Sequence, residues 1–303
     1  MTKNIFTALI LSSIALFSMQ VEAKLSVATT TTDLEAIVKA LGGDQVEVFA
    51  VTKGTQDPHQ IEAKPSFMVK FHKADLVISH GLELESAWLE PLIQGSRNSK
   101  IHAGTKGFLE VAKELDPIEV VHGAVSRAEG DVHPDGNPHF QLDPVRVGQA
   151  AVIIADRLGE LDTSHRNEFQ ERAKKIQANL EQKTKDWSKR IERSGIKEIV
   201  TYHKGFSYFC DRFALKCNLQ LEPKPGIPPT ASHLMEIIDT MKAKKISLVL
   251  IENYFDGSIG DKIKQSLPEA KVQRVPVSVQ GLPEVQSTEA LLEYLVHVFE
   301  TRK

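Results

Sequence analysis

The feature that most limits what this chain can fold into lies at its centre. From about residue 163 to 192, apolar side chains recur at Phe169, Ala173, Ile176, Leu180, Trp187 and Ile191, with charges between them. Spacing of three and four puts such residues on one stripe of an α-helix. About 30 residues of helix extend ~45 Å at 1.5 Å per residue, more than one small domain needs. The segment is therefore expected to be a backbone joining two lobes rather than an exposed coiled-coil partner site. Before it, strand-like runs at 25–30, 45–51 and 75–79 alternate with helical ones at 33–41, 65–73, 82–93 and 144–161. After it, strands at 198–202, 216–221, 247–252 and 271–277 alternate with helices at 205–213, 231–243, 261–266 and 289–302. Alternation of this kind predicts parallel sheets covered by helices. The expected architecture is α/β: two α/β sandwich lobes, 24–161 and 194–303, joined by one long rigid helix at 162–193. Ligands of such sheets gather outside the carboxyl ends of the strands, so an interlobe cleft is the expected site.

Residues 1–23 have the pattern of an export signal. Lys3 is followed by an apolar run from Ile5 to Phe17, and Val21-Glu22-Ala23 suits a signal-peptidase site before Lys24. The run, about 13 residues, falls short of the ~20 that span a bilayer. No cysteine adjoins the cleavage point, so a periplasmic protein without a lipid anchor is expected. The formal net charge is −3, which gives no basic surface for nucleic acid. A monomer is expected. Two cysteines are too few for a disulfide scaffold or a Cys-rich zinc module. In an exported chain Cys210 and Cys217 either bridge a helix end to the next strand or remain two buried thiols.

The histidines carry the chemistry. His59 lies in the loop after the strand at 45–51, His139 stands just before the helix at 144–161, and His203 ends the strand at 198–202. They converge only if the lobes face each other across a cleft; otherwise they are ordinary loop histidines. Neutral imidazole suits zinc and other late divalent metals.

Five stretches place these histidines in a wider pattern: GTQDPHQIEAKPS, ADLVISHGLELESAWLEPLI, GNPHFQLDP, YHKGFSYFCDRFAL and EPKPGIPPTASHLMEIID. In order and spacing they resemble the zinc- and manganese-binding substrate-binding proteins of bacterial ABC importers. The resemblance spans essentially the whole chain after residue 23. It implies two α/β lobes joined by a long helix, with a metal buried between them and little hinge opening. It carries the family's ligand positions onto His59, His139 and His203. The cargo it implies is Zn2+, with Mn2+ or iron as the alternative, delivered to a membrane permease that an ATPase drives.

The fourth ligand departs from the pattern. Family members often place an Asp after the last strand of the second lobe, but Val275-Pro-Val-Ser-Val-Gln-Gly-Leu282 has no acidic residue. Water, Glu252 at the end of the strand at 247–252, or a carboxylate near His59 such as Asp57 or Glu62 could complete the site. Losing a carboxylate shifts the balance toward zinc, because manganese prefers oxygen-rich sites. A His-only zinc site with an open position also suits a zinc hydrolase, but no HExxH or comparable base-bearing motif is present. In the polar stretch 116–138, His122 and His133, with Glu129, Asp131 and Asp135, form either an auxiliary metal site or entry relay, or a plain solvated loop. His80, after a buried strand, is expected to hydrogen-bond at the cleft.

Overall fold

A computed structural model of the protein describes residues 24–123, 130 and 132–301. The expectations for residues 1–23, Glu129 and Asp131 fall outside these. The first half runs β1 (Leu25–Thr29), α1 (Thr32–Gly42), β2 (Val46–Ala50), α2 (Pro65–Lys73), β3 (Leu76–Ser79), α3 (Leu89–Ser96), β4 (Phe108–Glu110) and α4 (Pro144–Leu161). The chain then enters α5 (Arg166–Ser194). The second half runs β5 (Glu198–Thr201), α6 (Ser207–Arg212), β6 (Lys216–Gln220), α7 (Ala231–Lys244), β7 (Leu248–Glu252), α8 (Ser258–Ser266), β8 (Lys271–Val275) and α9 (Thr288–Glu300).

Among the described residues these strands form two four-stranded sheets, ordered β2-β1-β3-β4 and β6-β5-β7-β8, every pairing parallel. Strand order reverses between β1 and β3 in one sheet and between β5 and β7 in the other. Loops leaving the carboxyl ends diverge at such a point and open a crevice. The inner strands β3 and β7 are apolar up to their last residues, as sheets covered on both faces require, and every residue of both is buried. Helix starts follow local chemistry. Thr31, Asp143, Thr230 and Ser287 each accept a backbone N–H of the following first turn, and Pro65 and Pro144 occupy first-turn positions.

Helix α5 has 29 residues and so extends ~43 Å. Phe169, Ala173, Leu180, Trp187 and Ile191 are buried, and Thr184 fills the gap in the stripe. Gly195, at φ 75°, ends the helix in the left-handed conformation that favours glycine. The stripe joins one apolar cluster that includes Leu34 and Ile154 from the first lobe and Phe209, Leu292 and Phe299 from the second.

The segment 82–93 is not one helix. Only Leu89–Ser96 is helical, and Gly81, Leu82 and Glu83 have φ of 83°, 51° and 66°. The cause is Glu85, a buried carboxylate that accepts the N–H of His80 at 2.9 Å and of Gly81 at 3.1 Å, and the Thr30 hydroxyl at 2.6 Å. Folding the chain back over this carboxylate takes residues 81–83 out of helical geometry. Strand β4 was not anticipated, since three residues carry too little alternation to be read. Cys210 and Cys217 are joined by a disulfide, with Cα atoms 6.2 Å apart, tying α6 to β6.

Candidate metal centre

The loops at the carboxyl ends of the two sheets face each other, and three histidines meet between them. One ligand nitrogen from each of His59, His139 and His203 lies within 4.8 Å of the others. Ring centroids are 5.2 Å apart for His59–His139, 5.2 Å for His59–His203 and 5.3 Å for His139–His203. The last two pairs are edge-on, at interplanar angles of 81° and 89°. His139 and His203 are 2% and 4% exposed, and the His59 side chain 9%.

Each ring is held from behind. In the Asp57-Pro-His59 turn, Asp57 Oδ1 accepts the His59 backbone N–H at 3.0 Å and its Nδ1–H at 2.7 Å. Burial works to raise Asp57, but the hydrogen bond and charge of His59 outweigh it and hold the carboxyl below its ordinary value. His203 donates Nδ1–H to Glu222 Oε2 at 2.7 Å. The β5–β6 register produces this pair: Thr201 lies beside Gln220, and two residues further along both chains His203 lies beside Glu222. A proton fixed on Nδ1 leaves the Nε2 lone pair facing the centre.

His139 has no carboxylate partner. Asn137 Oδ1 accepts its backbone N–H at 2.9 Å, and its own Nε2 is buried without a hydrogen bond. Burial, reinforced by the neighbouring imidazoles of His59 and His203, drives His139 well below its ordinary pKa and keeps it neutral. A buried, neutral, unpartnered imidazole nitrogen is a costly arrangement unless it receives an electron-pair acceptor.

The other residues singled out above fall as follows. Glu252 is fully buried behind the site; its Oε1 accepts the His203 N–H at 3.3 Å and its Oε2 has no partner. Burial, then the charges of Glu222 and Asp57, push its carboxyl well above the ordinary range. Neither it nor His133 belongs to the tight cluster of the three histidines. Glu62 is exposed. His122 is exposed and, among the described residues, not grouped with His133. His133 instead approaches the central histidines, its Nε2 3.4 Å from His59 Nε2. His80 is buried, with Nδ1 3.1 Å from the Pro138 carbonyl and Nε2 3.0 Å from Thr31 Oγ1, and thus braces the loop carrying His139. Burial lowers its pKa to about 4. The roles of Asp57 and Glu222 behind the rings were not foreseen. Asp57 was readable as an aspartate two residues before a histidine, whereas Glu222 becomes visible only once the strand register is known.

Comparison with known proteins extends this picture. The iron ABC transporter substrate-binding lipoprotein MtsA of Streptococcus pyogenes serotype M1 is 24% identical over 238 residues, 77% of this chain and 73% of that protein. The zinc-binding lipoprotein AdcA of Streptococcus pneumoniae strain R6 is 24% identical over 248 residues, 81% of this chain but 48% of AdcA. Both are named lipoproteins, which runs against the expectation of a protein without a lipid anchor. A crystal structure of ZnuA superposes with a TM-score of 0.78 at 22% identity, covering 92% of this chain and all of the other. Among the described residues no helix is long and apolar enough to cross a membrane. The profile of a family described as the periplasmic component A of a zinc-uptake complex, which is a transport family and not an enzyme family, matches residues 27–300. The chain belongs to that family, ZnuA.

Proposed function

We propose that this protein captures a single Zn2+ ion on His59, His139 and His203 and delivers it to the membrane permease of an ABC importer on the outer side of the membrane. The observation that carries the reading is the buried, unpartnered Nε2 of His139 beside two imidazoles whose Nδ1 atoms are held by carboxylates. All three rings then offer a lone pair to one point. A set of nitrogen donors suits zinc better than manganese, which favours oxygen ligands and higher coordination. Iron is the cargo named for MtsA and zinc the metal bound by AdcA; three imidazoles suit either, and the zinc reading here follows the zinc-uptake family to which the chain belongs. Protons compete for the same lone pairs, so affinity falls as the pH falls.

A competitive titration of the metal-stripped protein against a chelator of known affinity tests this reading. Tight binding of one zinc, with much weaker manganese, is expected. His59→Ala, His139→Ala and His203→Ala are each expected to lose zinc affinity by orders of magnitude while keeping the native circular dichroism. Manganese binding as tight as zinc, or a variant with full zinc affinity, would contradict the assignment.

A further inference from the structure

The described residues between β4 and α4 bring His133 to the three histidines. The two arms of this loop are stitched together: Val121 N–H donates to the Pro134 carbonyl at 2.9 Å, and Asn137 N–H to the Ile118 carbonyl at 2.9 Å. It is also fastened to the second lobe. Asn137 Nδ2 donates to the Lys204 carbonyl at 3.0 Å, Ser207 Oγ donates to Glu119 Oε1 at 2.9 Å, and the Tyr208 hydroxyl donates to the Asn137 carbonyl at 2.7 Å. These bonds fix where His133 emerges. It lines a cavity of about 100 Å3 together with His139 and His203. Its ring stacks on His59, centroids 5.5 Å apart at 30°, and its centroid is 6.2 Å from that of His139.

The separation of 3.4 Å between the Nε2 atoms of His133 and His59 is informative. Two nitrogens bound to one tetrahedral zinc at 2.0–2.1 Å stand about 3.3–3.4 Å apart. His59 already commits its Nδ1 proton to Asp57, so its Nε2 presents a lone pair toward His133. A metal between the two nitrogens uses both lone pairs. Without one, His133 must turn a proton toward His59.

We propose that His133 is the fourth ligand of the metal, brought to the site by this loop in place of the carboxylate missing from residues 275–282, and that it is the residue that makes the site select zinc over manganese. The proposal rests on the reading of His59, His139 and His203 as the metal site. It replaces an oxygen donor by a nitrogen, and so closes a four-nitrogen tetrahedron that manganese disfavours.

The test compares wild type with His133→Ala, His133→Gln and the control His122→Ala, each stripped of metal and titrated with zinc, manganese and cobalt(II). Wild type is expected to give the intense visible absorption of tetrahedral cobalt. H133A and H133Q are expected to lose that band, and to lose zinc affinity by more than the roughly 10–100-fold that follows removal of an outer-shell partner. Their manganese affinity should hold, so the zinc-to-manganese ratio collapses, and H122A should match wild type. H133A and H133Q proteins with the wild-type cobalt spectrum and zinc affinity would overturn the fourth ligand and leave the three-histidine reading standing. Equal losses for zinc and manganese would overturn the selectivity role. Wild-type protein that takes up none of the three metals would refute the capture reading itself.

Discussion

At the scale of single residues, the centre depends on two carboxylates that stand behind its rings. Glu222 and Asp57 each hold an imidazole Nδ1–H at 2.7 Å, and thereby choose the tautomer that faces inward. Glu222→Gln keeps a neutral acceptor of the same size but removes the charge that makes the imidazole a better donor of its electron pair. Zinc affinity is expected to fall about 10–100-fold, measured by chelator competition, with secondary structure unchanged. An unaltered affinity would mean that the register alone, and not the carboxylate, orients His203. The three histidines were legible in the sequence because the motifs around them resemble the importer family in order and spacing, and because His59 follows a strand, His203 ends one and His139 precedes a helix, where a parallel sheet gathers its ligands. Glu222 was not, because its partner lies in a neighbouring strand and only the pairing of Thr201 with Gln220 brings them together.

Among the elements, α5 has the most to hold together. Trp187 is 1% exposed, and its Nε1–H donates to Glu293 Oε2 of α9 at 2.8 Å. Arg190, one turn along, binds the carboxylates of both Glu293 and Glu300. Trp187→Ala removes a large ring from the apolar cluster shared by both lobes and is expected to cost about 3–5 kcal/mol. Because that cluster is continuous, urea should unfold the variant in one transition shifted to lower concentration. Two separated transitions would show that the lobes unfold independently. Periodicity predicted α5 well because its stripe is long and its other faces are charged. It failed at 82–93, where Leu82, Leu84 and Trp88 imitate a helical face but Leu82 and Glu83 take left-handed φ as the chain turns over the buried Glu85.

For the whole molecule, the question is how far the lobes move when metal enters. Besides the loop contacts of Glu119 and Asn137 described above, two braces cross between them. On one side Arg212 of α6 grips Asp143, the cap of α4, through both carboxylate oxygens at 2.7 and 2.9 Å. On the other, the 277–281 segment lies against the start of α1: Val279 N–H donates to Asp33 Oδ1 at 2.9 Å, and Thr32 Oγ1 donates to the Val279 carbonyl at 2.5 Å. A side chain at Gly54 would collide with the Val279 carbonyl, its Cβ 2.3 Å away, so the two backbones meet there without room to spare. None of these bonds involves the histidines, so they hold the lobes together whether or not the centre is filled. Zinc at 100 times its Kd is then expected to raise stability by about 2.7 kcal/mol, while the radius of gyration from small-angle scattering stays the same with and without metal. Cutting both braces with Arg212→Gln and Asp33→Ala together should reverse this. The metal-free variant expands, and zinc draws it back to the wild-type radius, because the metal then supplies a larger share of the links across the cleft. A wild-type protein that contracts on zinc binding would show that the braces yield, and that capture proceeds by closing a hinge.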